Sequence, residues 1–110
     1  MGKLIVGQVI SSTFPFSDLS TQKRRPALVV ATVDFGDVVL CQITSKAYSS
    51  SNPINLSVSD FNDGGLPIDS FIRYDKLFTA DAGIVEQVYG EISQRKLGEV
   101  LDAIRALFTI

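Results

Sequence analysis

The 110-residue chain contains no histidine, and this absence excludes more chemistry than any single residue suggests. Ser-His-Asp and Cys-His catalysis, histidine metal sites and the usual neutral-pH general base are all ruled out. Any reaction has to rest on Arg, Lys, Asp, Glu, Tyr, Ser or Thr. There is one cysteine, Cys41, between Leu40 and Gln42 in an apolar stretch. A lone cysteine builds neither an internal disulfide nor a zinc cluster, so it reads as a small core residue. Long hydrophobic runs are missing too. The opening MGKLIVGQVI is too short for the central region of a signal peptide, and nothing later approaches the length of a membrane span. These features predict a cytoplasmic protein without membrane contact.

Excess positive charge is also lacking. The net charge is −2 and the pI about 4.9, which argues against an unselective nucleic-acid binder. The charges are unevenly spread: residues 1–50 carry five Lys/Arg against three Asp, whereas residues 51–110 carry five against nine acidic residues. Apolar residues make up 45% and charged residues 20%, which excludes wholesale disorder. A chain of this length predicts a single domain over residues 1–110, with a core that stands without metal or disulfide.

The most informative stretch is FPFSDLSTQKRRPALVVATV, residues 14–33. A turn-rich segment with three adjacent cations, Lys23, Arg24 and Arg25, runs straight into an apolar β-type run. Pro26 has no N–H and biases Arg25 toward an extended conformation, so Arg25 should stand at the mouth of a strand. A guanidinium fixed there suits a phosphate, while the plainer reading is a solvated basic turn.

Residues 26–33 and 38–45 are rich in β-branched side chains and flank Asp34-Phe35-Gly36-Asp37, which predicts a hairpin. Val9 to Phe14 reads as an earlier strand, residues 46–53 as a polar loop, 54–58 as an exposed strand, and Asp63-Gly64-Gly65 as a turn. Ser70 to Leu77 alternates, predicting Phe71, Arg73, Asp75 and Leu77 on one face. Ile84 to Ile92 supplies a further strand. Ser93 reads as a helix N-cap, followed by Leu97, Val100, Leu101, Ile104, Leu107 and Phe108 as one apolar stripe.

In order, Gly7-Gln8-Val9, Phe14-Pro15-Phe16, Lys23 through Pro26 with ALVV, Gln42-Ile43-Thr44-Ser45, and Ile72-Arg73-Tyr74-Asp75 with Leu77-Phe78-Thr79 form a series. This series resembles the PemK/MazF family of toxin endoribonucleases. The resemblance implies a mainly β fold, a small SH3-like or PemK-like β-barrel with a C-terminal helix, acting as a homodimer. It further implies sequence-specific, metal-independent cleavage of single-stranded mRNA that inhibits translation and growth, with no cofactor. Neutralisation by a cognate antitoxin, and operator DNA binding through that antitoxin, belong to the same expectation.

Carried onto this sequence, the family's Arg-Pro arginine is Arg25, its Thr-Ser pair is Thr44 and Ser45, and its Arg-x-Asp pair is Arg73 and Asp75. Where many members have Gly-Ser-Glu-Gln, this chain has Asp18-Leu19-Ser20-Thr21. The expected catalytic set is therefore Arg25, Thr44, Arg73 and Asp75. Arg25 and Arg73 would supply charge for the developing phosphorane, Thr44 hydrogen bonds, and Asp75 the base. RNA binding falls to Phe16, Lys23, Arg24, Ser45, Lys46 and Tyr48, with Phe16 and Tyr48 placed to stack on bases. From spacing alone Arg73 and Asp75 equally describe a same-face ion pair, and Thr44-Ser45 a polar strand end. Two other classes stay open: a non-catalytic module that binds antitoxin or nucleic acid, and a topoisomerase-poisoning toxin on a related barrel.

Overall fold

The computed structural model describes residues 3–14, 23–46 and 52–109. In chain order they form β1 (Gln8–Phe14), β2 (Lys23–Thr32), β3 (Asp37–Thr44), β4 (Ile54–Leu56), β5 (Phe61–Gly64), β6 (Ser70–Asp81), β7 (Val85–Ile92) and α1 (Gln94–Leu107). The strands make one antiparallel sheet in the order β4-β6-β3-β2-β1-β7-β5. Its two edge strands are consecutive in sequence and joined only by residues 57–60. A flat seven-stranded sheet would set its edges far apart, so this short link holds the sheet curled into a half-barrel. The link is itself fastened: Ser57 N donates to Asp60 Oδ2 at 2.8 Å, and Ser93 N donates to Asp60 O at 2.7 Å.

Alternate residues of β2 go to opposite faces. Leu28 and Val30 join Val9, Cys41, Ile43, Ile72, Ile92 and Val100 beneath α1, whereas Ala27 and Val29 join Leu4, Ile10, Val38, Leu40 and Val85 on the other side. Burial on both faces is why ALVV reads as a continuous apolar run instead of an alternating one. α1 begins where expected, with Ser93 Oγ accepting from Lys96 N at 3.2 Å.

Three expectations are corrected. Leu107 and Phe108 do not complete the buried stripe: they are 45% and 74% exposed, because α1 overhangs the sheet beyond Val100 and Ile104. Asp63 and Gly64 belong to β5, paired with Glu91 and Gly90, and not to a turn. Gly64 has φ +74°, and a Cβ on Gly64 or Gly90 would run into backbone of the facing strand, so only glycine permits this approach. The alternation of β6 is also interrupted. Cys41 pairs with Leu77 but Gln42 pairs with Arg73, leaving residues 74–76 as an extra bulged segment. Three inserted residues reverse the facing, so Leu77 packs under α1 with Cys41, while Arg73 keeps the face of Gln42.

Candidate functional site

Pro26 sits opposite Ser11 in the β1–β2 ladder, and Arg25 opposite Ser12. On its other side β2 pairs Ala27 with Gln42. Continuing that register by two residues brings Arg25 beside Thr44, the last residue of β3. Thr44 Oγ accepts from Lys46 N at 3.2 Å, turning the chain as it leaves the strand. The start of β2 and the end of β3 thus form the mouth of a cavity of about 430 Å³. Arg24, Arg25, Thr44, Ser45 and Lys46 border one side; Leu66, Pro67, Ile68 and Tyr89 border the other.

The cations differ in what they hold. Arg24 Nε lies 3.0 Å from Glu86 Oε2. Arg73 faces Asp75 with Nε 3.1 Å from Oδ1 and Nη2 3.1 Å from Oδ2. Arg25 is half-buried at the cavity, and its guanidinium makes no hydrogen bond or ion pair among the described residues. A half-desolvated guanidinium with open donors is matched to an anion.

Arg73 and Asp75 lie outside the cavity lining, which departs from the expected single catalytic cluster. Gln42 links Ala27 to Arg73 across the sheet, so by strand alternation Arg25 and Arg73 share a face. One intervening strand and a two-residue offset separate their Cα atoms by roughly 12 Å. The hydrogen bonds from Arg73 lower the Asp75 carboxyl pKa below its ordinary value, with burial opposing them and the nearby positive charge adding to them. That makes Asp75 a poor proton acceptor near neutrality. Burial pushes the Cys41 thiol up to about 12, so it has no nucleophilic part.

Among the described residues no group of three or more Cys, Asp or Glu converges as a metal site, and no carboxylate lines the cavity. No helix is long and apolar enough to cross a membrane. Phe16, Tyr48 and Asp18 lie outside the described residues, as does the side chain of Lys23. The sequence reading missed Leu66, Pro67, Ile68 and Tyr89. No local motif announces them; only the curl of the sheet carries the β5–β6 connection and β7 to the far wall.

A model of the PemK-like, MazF-like toxin of type II toxin–antitoxin systems matches residues 6–108. The chain belongs to this family. MazF-like architecture is equally clear in solved structures. MazF from Deinococcus radiodurans superimposes with a TM-score of 0.76 at 21% identity, over 100% of both chains. The MazE–MazF complex of the same organism gives 0.76 at 21%, covering 97% of this chain and 96% of that one. An endoribonuclease from a mycobacterial species gives 0.71 at 19%, covering 96% and 91%. At such identities the likeness establishes the fold. Among curated protein sequences none matches significantly.

Proposed function

We propose that this PemK/MazF-family protein is a toxin endoribonuclease that cuts single-stranded RNA at a short sequence without a metal ion. The observation that carries the reading is Arg25, unpaired among the described residues, at a cavity it shares with Thr44, Ser45 and Lys46. In the proposed reaction a ribose 2′-oxygen bonds to the adjacent phosphorus and the P–O5′ bond breaks. A 2′,3′-cyclic phosphate and a 5′-OH remain. Arg25 stabilises the dianionic phosphorane, and the hydroxyls of Thr44 and Ser45 hold the phosphoryl oxygens in line.

Arg73 adds positive potential from the same sheet face. Asp75, engaged on both oxygens, serves to hold Arg73 in place and not as the base expected from the sequence. The 2′-OH proton passes to water, and water returns a proton to the departing O5′ as the P–O5′ bond breaks. Lys23, Arg24 and Lys46 contribute to backbone binding, and Phe16 and Tyr48 to base stacking. Solved relatives include a MazE–MazF complex and an endoribonuclease with its cognate antitoxin, which supports an antitoxin partner here. A cytoplasmic homodimer, with operator DNA reached through the antitoxin, completes the proposal.

Purified protein incubated with long single-stranded RNA in EDTA, followed by sequencing of 5′-OH ends, tests the reading. Cuts clustered at one short sequence are expected; RNA left intact across many sequences overturns it. Among the described residues no carboxylate lines the cavity, which favours one alternative, a module that binds antitoxin or nucleic acid without cutting. Growth arrest on induction, abolished by Arg25→Ala, separates the two.

A further inference from the structure

The opposite end of the sheet carries a second cavity, of about 580 Å³, where the β2–β3 connection meets the chain that follows β6. Thr32, at the far end of β2, lies seven residues beyond Arg25, or roughly 23 Å along an extended strand. The floor of this cavity is the rim of the second core cluster, supplied by Leu4, Val38 and Ala82. Around it the surface stays apolar. Val33, which lines the opening, is exposed, and so are Ile5, Phe35 and Ile84, each next in sequence to a lining residue. Large apolar side chains left in water thus gather at one end of the half-barrel.

Two features of this end cost the isolated protein stability. Phe35 holds φ +66° and ψ 22° with its ring wholly in solvent, in a turn closed by Val33 N donating to Asp37 O at 3.0 Å. Asparagine or glycine would occupy that region of backbone space with less strain. In the β3–β6 ladder Asp37 is set directly opposite Asp81, and like charges facing each other across a ladder repel. An exposed ring and opposed carboxylates that the fold itself does not need, placed at one apolar opening, mark a surface shaped for contact.

Charge identifies the occupant. Asp34 and Asp37 border the opening beside one lysine, Lys3, and Asp81 adds a third carboxylate next to the lining residue Ala82. Such a border repels a nucleic-acid backbone but attracts a Lys or Arg side chain, whose aliphatic stem continues the apolar contact. We propose that this end of the half-barrel is a docking surface for a protein segment that presents Lys or Arg between aliphatic residues, with the Phe35 ring as its main apolar contact. Because it lies at the far end of β2 from Arg25, this surface can hold a partner while the Arg25 cavity is occupied.

Isotope-labelled wild-type protein is titrated with acetyl-Lys-Leu-Arg-Leu-Lys-amide and with the acidic counterpart acetyl-Glu-Leu-Glu-Leu-Glu-amide, following backbone amide shifts by NMR. The basic peptide should saturably shift residues around the opening, at 3–5, 32–38 and 81–84. It should bind at least about tenfold more tightly than the acidic one. Asp37→Asn should weaken it about threefold. Phe35→Asn should weaken it at least about tenfold. Neither substitution should lower the thermal midpoint, since each relieves an unfavourable feature of the free protein. Absence of a saturable shift, shifts confined to other residues, equal binding of the two peptides, or binding untouched by both substitutions overturns the docking surface. Concentration-dependent shifts of the same residues without peptide would assign the surface to a second copy of the chain and overturn it as well. No readout here involves RNA, so the nuclease reading stands or falls separately.

Discussion

Arg73 holds Asp75 by two parallel hydrogen bonds of 3.1 Å, reaching from the last position paired with Gln42 to a carboxylate inside the bulged segment 74–76 of β6. Bidentate closure fixes both side chains at a point where three extra residues interrupt the pairing. Because the carboxyl pKa is lowered in the folded state, the pair contributes stability that is present above the ordinary value of 3.8 and is lost as pH falls through the lower folded value. Asp75→Asn should therefore lose stability relative to wild type at about pH 7, and the difference should shrink as pH falls below 3.8 through the lower folded value, read from urea midpoints. With the Asp75 side chain 40% exposed, solvent screens the interaction and the effect is small.

Arg25→Ala should reduce RNA cleavage by about 10²- to 10³-fold while leaving the thermal midpoint nearly unchanged, since the side chain holds no partner among the described residues. Arg25→Lys should restore only part of the rate, because an ammonium lacks the planar fork that grips two phosphoryl oxygens. Single-turnover rates on a defined oligoribonucleotide, with melting curves alongside, check both.

Gly90→Ala should cost ~2 kcal/mol or more, because its Cβ would meet the backbone of Asp63 on the facing strand. Gly98→Ala should do the opposite and stabilise by ~0.5–1 kcal/mol, since a methyl group there meets nothing within 4 Å in the middle of α1. Thermal or urea unfolding of the two variants distinguishes them by sign.

Cys41 should resist iodoacetamide in the native protein near neutrality and react stoichiometrically in denaturant, read by mass spectrometry. Its thiol is fully buried and its pKa is pushed up to about 12, so both access and thiolate are lacking.

Phe35 is fully exposed with φ +66° in the β2–β3 connection. Phe35→Asn should stabilise by ~0.5–1 kcal/mol, because asparagine tolerates the left-handed region better and no buried contact is lost. Equilibrium unfolding checks it, and a clear loss of stability would mean that the ring has a partner in solution.

Local patterns in the chain carried the strands, the β2–β3 connection, the Ser93 cap and the placement of Arg25 ahead of Pro26. Backbone stiffness, side-chain alternation and capping act over a few residues, so a linear sequence records them. The bulge at residues 74–76 was illegible, because alternation continues on paper while the ladder with β3 skips three residues. The strand at Asp63-Gly64 was illegible for a related reason: Gly64 is required by a backbone approaching from Tyr89 and Gly90, and that neighbour is fixed only when the sheet curls. The same curvature brings Leu66 to Ile68 and Tyr89 across from Arg25, and separates Arg73 and Asp75 from the cavity they were expected to share. Chemistry-bearing residues could be named from the chain alone. Which of them meet was decided by strand register and sheet closure, since those depend on contacts between segments far apart in sequence.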